Sequence, residues 1–501
     1  MRFDQFLIDK YRTIASQIGF VLILIGGLIL IPLLILPFFP DQIEYYPVFV
    51  MTAIPLIIVG AIFVLRFRNI RSQPLMTHEA GVIVLFAWIS AFLFSAIPFI
   101  KVLHLSFPLA LFESVSAWTT TGLSVVDVSK APNIILFWRS IMQLAGGAGF
   151  AIMMVAALTG LSGSGLSKAE GRSDQLVPQI RRSAQIVLII YSIYLGFGII
   201  AYSFAGMTFF DAINHTFCAI STGGFSTQTD SIGYWNSLKI ELVTIILMIL
   251  GNLNFVSAYL LLKLRFRSFF RNGEVHLFIV LTYIAIIILF IFTSSVIYSD
   301  LSKSIRVAIF EAISALTTTG YSTVSYHNWN DGGIMLLIIL MLIGGGACST
   351  AGGIKQYRIY LLLKSLIWEI KRWLSPPNAI TQPYIWESEK KNYIHNQQIG
   401  TIALFFFLYI ITYFIGSFTI ALTGVPLRSA FFEFASALGT VGLSVGVTSA
   451  TMVPAILWAE IVGMFLGRLE FFIIFVSLIA IFKDTVRIIQ MNIFRLKRKR
   501  I

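Results

Sequence analysis

Charged side chains are scarce in this chain of 501 residues: Asp, Glu, Lys and Arg make up 12% of it, about half the usual share of a soluble protein. That deficit excludes a string of ordinary soluble domains, and the 57% hydrophobic content with a mean hydropathy of +0.86 points the same way. Acid is scarcer than base, with 23 Asp and Glu against 36 Lys and Arg, which leaves a net charge of +13. Nucleic-acid binding would gather that surplus in a patch or groove, whereas here it sits in short clusters between apolar runs. Cysteine is nearly absent. Cys218 and Cys348, both in apolar or glycine-rich stretches, exclude a disulfide framework and a cysteine-based zinc cluster. The six histidines are scattered, and His78-Glu79-Ala80-Gly81-Val82 lacks the second histidine of a zinc-protease motif. An intramembrane enzyme therefore has no nucleophile or metal set to rest on. It stays as a reading of a different class, to be revived by an activity lost without any defect in ion flux.

Long apolar runs are what the chain has in abundance. A membrane-spanning helix needs about 20 mostly apolar residues, because lipid offers no partner to backbone N–H and C=O groups. Ten spans are expected on that rule, near 15–39, 46–65, 79–100, 134–160, 184–206, 238–262, 275–298, 333–364, 398–423 and 452–482, the eighth of them interrupted. The first is longer than a signal-peptide core and is read as a retained helix. One set of connecting segments carries 28 of the 36 Lys and Arg residues. The positive-inside rule makes that side cytoplasmic, with both termini on it. The basic tail Arg495-Leu496-Lys497-Arg498-Lys499-Arg500 reads as an anchor beside anionic lipid, or as a protein-binding tail.

A fourfold repeat organises the rest. Four segments on the other side end in a related phrase: Trp118-Thr119-Thr120-Thr121-Gly122-Leu123-Ser124, Ile220-Ser221-Thr222-Gly223-Gly224-Phe225-Ser226, Leu316-Thr317-Thr318-Thr319-Gly320-Tyr321-Ser322 and Leu438-Gly439-Thr440-Val441-Gly442-Leu443-Ser444. Their aligned glycines are 102, 96 and 122 residues apart. Glu113, Glu311 and Glu433 each stand nine residues before their glycine and follow a phenylalanine, with His215 in that place in the second repeat. The short apolar stretches between, such as Phe112 to Trp118, are too short to span and read as re-entrant half-helices.

Non-helical backbone survives at membrane depth only where protein or a water-filled cavity satisfies it, so four such segments around one axis make a pore. Glycine turns carbonyls inward without steric cost, and carbonyl and hydroxyl oxygens replace the hydration shell of a hard cation. The half-helix C-termini would aim the negative ends of their dipoles at that cation. The glutamates admit two readings: carboxylates in the first turn of a half-helix, stabilised by its dipole, or groups that attract cations directly.

Two further features lie inside spans. Gly344 to Gly353 holds five glycines with Ser349 and Thr350, and each glycine costs a continuous helix about 1 kcal/mol relative to alanine. The segment is read as unwound, either a movable element facing the pore or a site of close helix packing. A nucleotide-binding loop is excluded, since the Gly-x-x-x-x-Gly-Lys spacing is absent. Arg468 lies in the last span, where a charge demands a cavity or a partner, and Glu460 and Glu470 are its candidate partners. Gln143, Asn252 and Asn254 serve equally well as interhelical hydrogen bonds or as pore lining.

The repeats, the Thr-Thr-Thr-Gly phrases and the segment Gly344-Gly345-Gly346-Ala347-Cys348-Ser349-Thr350-Ala351-Gly352-Gly353-Ile354-Lys355 resemble the Trk/Ktr/HKT superfamily of potassium transporters, and within it the TrkH/TrkG membrane subunit. The likeness runs from about residue 75 to the end. It implies an all-α polytopic fold: four pseudo-symmetric helix, pore-loop, helix repeats around a central pore, plus two extra N-terminal helices. Expected boundaries are 1–74 for those two helices, 75–165, 166–270 and 271–365 for repeats one to three, 366–395 for a cytoplasmic connector, 396–482 for repeat four and 483–501 for the tail.

Carried over by the resemblance, a potassium-binding filter comprises Thr120, Thr121 and Gly122; Thr222, Gly223 and Gly224; Thr318, Thr319 and Gly320; and Thr440, Val441 and Gly442. Glycine at all four key positions goes with potassium preference in that family, and serine in the first repeat with sodium transport. Phrases two and four depart from Thr-Thr-Thr-Gly, which implies looser selectivity than four identical strands would give. Gly344, Gly345, Gly346, Ser349, Thr350, Gly352 and Gly353 would form an intramembrane gating loop, with Arg468 beside it. The family also implies K+ as the transported ion, no organic cofactor, a homodimer in the cell membrane, and a cytoplasmic ring of nucleotide-binding subunits like TrkA or KtrA. A sodium-permeable or cation-coupled symporter of the same superfamily is the rival reading. Coupled carriers commonly show inverted repeats, and these run in parallel.

Overall fold

The computed structural model describes residues 2–67, 77–148, 180–376, 382–387, 390–469 and 471–498. The expected connection from Gly160 to Arg182 falls largely outside these residues, as do positions 149–160 of the fourth expected span, Glu470 and the last three residues of the tail.

Two helices, Arg2–Leu30 and Tyr46–Arg66, form an antiparallel pair joined by two 3-10 segments, Ile31–Phe38 and Pro40–Tyr45. Small residues let their backbones touch: a methyl group built on Gly60 would overlap the Gly19 carbonyl, and one on Gly26 would press on Ala53. This is how helices associate in lipid, where apolar side chains gain nothing by turning away from the tails. The first helix is tied to distant chain by Lys10, whose ammonium lies 2.9 Å from Asp484 and 3.3 Å from Glu79.

Four helix, half-helix, helix units follow. The half-helices are Phe107–Trp118, Phe209–Ile220, Leu301–Leu316 and Leu427–Gly439. The second and third start on side-chain caps: Thr208 accepts from the Asp211 amide at 3.1 Å, and Asp300 from the Ser302 and Lys303 amides. Proline stands in the first turn of the first and just before the fourth. At 12 to 16 residues they are longer than the two turns expected from the sequence. The helices that precede them are Thr77–Ser95, continued by Ile97–Val102, then Ile180–Ala205, Gly273–Leu289 and Asn396–Ala421.

The helix that follows the first half-helix is described as Asn133–Ala148, and those that follow in repeats two to four are broken rather than straight. Six of the expected spans are continuous apolar helices. The span expected at 238–262 instead bends by 118° between Leu238–Asn252 and Phe255–Leu262, and that at 452–482 bends by 96° after Pro454–Leu469. The eighth is interrupted as its glycines require: Asp331–Ile343, a coil, then Gln356–Leu374. Close approach explains where these helices stop. Methyl groups on Gly146, Gly251 and Gly467 would each overlap a carbonyl at the C-terminus of their own repeat's half-helix, at Trp118, Ile220 and Leu438. Beyond the eighth span the connector is not all irregular, since Tyr384–Glu387 pairs antiparallel with Lys390–Tyr393.

Replacing Gly60 by leucine is expected to force the first two helices apart and to cost about 1–3 kcal/mol, as overpacking does. The check is the thermal midpoint of the purified protein, which should fall for Gly60→Leu and stay put for Gly27→Leu, whose Cβ meets nothing.

Candidate functional site

The four expected filter segments come together at the C-termini of the half-helices. Each helix ends the same way. Thr120, Thr222, Thr318 and Thr440 have φ of +56°, +52°, +54° and +51°, and Gly122, Gly224, Gly320 and Gly442 have +93°, +70°, +77° and +99°. The residue between them closes a bond back into the helix: Thr121 to Ser116, Gly223 to Cys218, Thr319 to Ser314 and Val441 to Ser436, at 2.8–3.1 Å. A β-branched residue in the left-handed region is strained by on the order of 1–3 kcal/mol. Its recurrence at four matched positions marks a geometry the fold enforces.

The four segments touch in a ring. A methyl group on Gly122 would overlap the carbonyl oxygen of Gly223, one on Gly224 that of Thr319, one on Gly320 that of Val441, and one on Gly442 that of Thr121. Each glycine thus receives the carbonyl preceding the next repeat's glycine, and the fourth contact returns to the first repeat. On one side of the ring lies a cavity of about 620 Å³, lined by all four glycines and by Ser124, Ser226, Ser322 and Ser444. The hydroxyls of Thr120 and Thr440 are buried without a hydrogen-bond partner. Unpaired buried hydroxyls are costly, and with the carbonyls they form an oxygen-only donor set that suits a hard, weakly polarising cation.

The strands of the ring are braced differently. In repeats one and three a pair of threonine hydroxyls joins alternate positions, Thr119 to Thr121 and Thr317 to Thr319, both at 2.8 Å. Repeat two has glycine instead of the second threonine, and Gln143 takes over: its amide donates to the Gly223 carbonyl at 2.6 Å and accepts from the Phe225 amide at 3.2 Å. Gln143 is therefore a filter brace, a role its sequence position left open.

The half-helix glutamates are neither dipole partners in a first turn nor groups facing the cavity. They lie mid-helix, fully buried, and hold the chain beyond each glycine. Glu113 accepts from Ser124 and the Val125 amide at 3.0 Å, Glu311 from Thr323 and Tyr326, and Glu433 from Ser444 at 2.6 Å and the Val445 and Val447 amides. His215 does the same work without a carboxylate, its Nε2 lying 2.9 Å from the Ser226 hydroxyl. Among the described residues Glu113 alone of the three pairs with a cation. Arg139 reaches it at 2.7 Å, donates to Ser124 at 2.9 Å and stacks 3.9 Å over the Phe225 ring.

Directly against the ring lies the coil between Ile343 and Gln356. The Thr350 hydroxyl donates to the Gly251 carbonyl at 2.9 Å and accepts from Thr222 at 3.1 Å. The Gly352 amide donates to the Thr318 hydroxyl at 2.7 Å, and a methyl on Gly352 would overlap Thr440. Thus three of the four left-handed threonines touch this one segment. Gly346 is held by Asn252 at 3.0 Å, Ala347 by Glu274, and Ser349 donates to the Gly346 carbonyl at 2.7 Å. Gly344 and Gly353 pack against each other with φ of +71° and +79°, and the Gly345 amide donates to the Gly352 carbonyl at 3.2 Å. Asn252 so becomes a loop holder, while Asn254 caps the helix after the bend. Glu274 is a holder the sequence did not suggest.

Arg468 closes the arrangement. It donates to the Thr350 carbonyl and to the Gly146 carbonyl, each at 2.6 Å, and so ties the loop to repeats one and four. Glu460, weighed from the sequence as its ion-pair partner, instead faces Thr448.

The comparisons with known proteins agree with this geometry. The TrkH family model, described as a cation transport protein, matches residues 46–488. The Trk system potassium uptake protein TrkH of Escherichia coli strain K12 is 31% identical over 481 residues, which is 93% of this chain and 98% of that protein. An uncharacterized cation transporter of Methanocaldococcus jannaschii is 29% identical over 432 residues, 85% of this chain and 88% of that one. The crystal structure of the potassium transporter TrkH from Vibrio parahaemolyticus superposes with a TM-score of 0.81 at 28% identity, covering 93% of this chain and 98% of that one.

Removing Arg139 alone leaves the Glu113 carboxylate buried without its cation. Arg139→Met is expected to cost about 3–5 kcal/mol, and the double variant Arg139→Met with Glu113→Gln markedly less. Thermal unfolding of the three proteins in one detergent checks this, and additive losses would show that the pair is not coupled.

Proposed function

The chain belongs to the TrkH family of cation transport proteins, multi-pass membrane transporters rather than enzymes, and from that premise we propose that it is the pore subunit of a potassium-uptake system. The observation that carries the proposal is the closed ring in which each of four glycines receives a neighbouring repeat's carbonyl. Potassium is the ion named for the relatives from E. coli and V. parahaemolyticus. The ring offers it backbone carbonyls and threonine hydroxyls in place of water.

In this reading the filter is Thr120, Thr121 and Gly122 with their counterparts Thr222 to Gly224, Thr318 to Gly320 and Thr440 to Gly442. The 620 Å³ cavity is the outer vestibule. The coil from Gly344 to Gly353, with Gly345, Gly346, Ser349, Thr350 and Gly352 at its centre, is the gate beneath the filter, and Arg468 is its latch. The Lys and Arg distribution puts both termini in the cytoplasm. The repeat boundaries expected from the sequence serve as the working domains; the breaks in the second helices of repeats two and three fall within them, although the helix Gln356–Leu374 runs on past 365 into the connector. In this reading the functional unit is a homodimer in the cell membrane regulated by a cytoplasmic ring of nucleotide-binding subunits; the relative from E. coli is named as a component of a Trk system, a protein that acts with others. A sodium-permeable or cation-coupled version is the alternative, and it is favoured only by Gly223 and Val441 standing where threonine stands in repeats one and three.

Expression in a potassium-uptake-deficient bacterium should restore growth at limiting potassium. In Gly122→Ser a side chain meets the Gly223 carbonyl, and preference for potassium over sodium should fall on the order of tenfold, about 1.4 kcal/mol. No rescue with the chain in the membrane and the cytoplasmic partner supplied would remove the potassium reading.

Arg468→Ala removes the bonds to Thr350 and Gly146 together with a positive charge below the filter. Flux should rise several-fold. Unchanged flux at equal expression would mean that Arg468 is no latch.

A further inference from the structure

The fourth filter strand lacks both braces described above and keeps the bond from the Gly442 amide to the Ser436 hydroxyl at 3.0 Å, which the first strand has in addition to its threonine pair. It has Gly439 and Val441 where repeats one and three have their joined threonines, and among the described residues nothing like Gln143 reaches it. What else holds it lies at its outer end. Glu433 and Glu460 are both fully buried, and one hydroxyl, that of Thr448, stands 3.3 Å from Glu433 and 3.1 Å from Glu460. Among the described residues neither carboxyl forms an ion pair, in contrast to Glu113 with Arg139.

A hydroxyl has one proton and can donate to one of two acceptors. If both glutamates were ionised, one of these contacts would set two electron-rich oxygens together, in a site with no water to separate them. The two groups are not equivalent. Glu433 already accepts from Ser444 at 2.6 Å, from the Val447 amide at 2.9 Å and from the Val445 amide at 3.1 Å, which satisfies a negative charge. Among the described residues Glu460 has the Thr448 hydroxyl alone. A charged carboxylate with one partner is costly when buried, while a neutral carboxylic acid needs only one acceptor.

We propose that Glu460 is a protonated glutamic acid that donates to Thr448, which donates in turn to ionised Glu433, and that this chain is the brace of the fourth filter strand. It is a positioning residue: it touches no ion, and acts through Glu433 and Thr448 on the chain from Ser444 to Thr448 that continues the filter. Thr448 also lines the cavity, so the strut stands at the vestibule wall. The repeats then use three kinds of brace, a threonine pair, a glutamine and a protonated acid. The neutral acid puts no second negative charge beside Glu433.

The test has two arms on the full-length protein in lipid vesicles. Infrared difference spectra of native protein minus Glu460→Gln, in water and in D2O, should contain a protonated-carboxyl carbonyl band that shifts on deuteration. Loss of carboxylate bands alone, or a band that comes and goes with sodium, would overturn the proposal. This arm does not depend on which ion the pore carries. The second arm rests on the potassium reading and measures rubidium uptake. Glutamine is neutral and donates to the same hydroxyl, so Glu460→Gln should stay within about twofold of native, whereas Glu460→Ala removes the donor to the Thr448 oxygen, leaves that hydroxyl held by Glu433 alone and should lose about tenfold or more. A glutamine variant as poor as alanine, or an alanine variant as good as native, would overturn it. Absence of rubidium uptake by native vesicles would instead count against the potassium reading and leave the infrared result standing.

Discussion

Everything in this structure depends on keeping four stretches of non-helical backbone at membrane depth without water to satisfy them. Each stretch solves part of the problem with its own half-helix, through the bond from the residue after the left-handed threonine back to the last turn. The segments also pack on one another between repeats. A glycine of one repeat lies against the carbonyl of the next at a separation that leaves no room for a Cβ, four times around. Such a ring closes only when all four segments are in register, so the contacts that make the filter also fix the arrangement of the helices around it. The glycines cannot be traded for alanine as helix glycines sometimes can, because the obstacle is a neighbour's backbone and not a flexible side chain.

Because the four repeats lie on one chain, they need not be chemically identical. Three glutamates and one histidine hold the chain past the glycine, and each has a different companion: Arg139 for Glu113, Tyr326 for Glu311, Ser226 for His215 and Thr448 for Glu433. The local charge behind the ring therefore varies around it, with an ion pair in repeat one and a neutral imidazole or imidazolium in repeat two. A symmetric tetramer would be forced to repeat one solution. Departures in the Thr-Thr-Thr-Gly phrase need not loosen the ring, since Gln143 stands in for the hydroxyl that repeat two lacks, with bonds at both ends of its amide.

Local signals carried much of this into the sequence, and the remainder was lost for a definite reason. Glycine, threonine and serine at a fixed spacing report the ring because the conformation they serve is local. The partners that hold it are not: Arg139 to Glu113 spans 26 residues, Gln143 to Gly223 spans 80, and Arg468 to Gly146 spans 322. No period links such pairs. Glutamate mid-helix was mistaken for a first-turn residue because the half-helices begin earlier than the apolar count implied, at Phe107 and not Phe112. The bend after Asn252 was hidden by an apolar run that continues through Leu253 and Phe255, although the two asparagines flanking Leu253 were its trace. Glycine density, by contrast, marked the break after Ile343 plainly.

That break raises the question of what opening would require. The coil is held from outside by Asn252, Glu274, Thr222, Thr318, Gly251, Ile220, Phe255 and Arg468, at least eight hydrogen-bonded partners from three repeats. At about 1 kcal/mol net for each, releasing them costs on the order of 8 kcal/mol before the glycine-rich chain regains any entropy. If the coil moves as proposed, a ligand or partner that drives the movement must bind the moved state better by a comparable margin. The helix Gln356–Leu374 begins one residue after the coil, with no slack between them, and the Gln356 side chain is bonded to the Gly344 carbonyl at 3.0 Å. Any displacement of that helix along its axis is therefore delivered to the coil directly, and through Thr350 and Gly352 to the threonines of the ring.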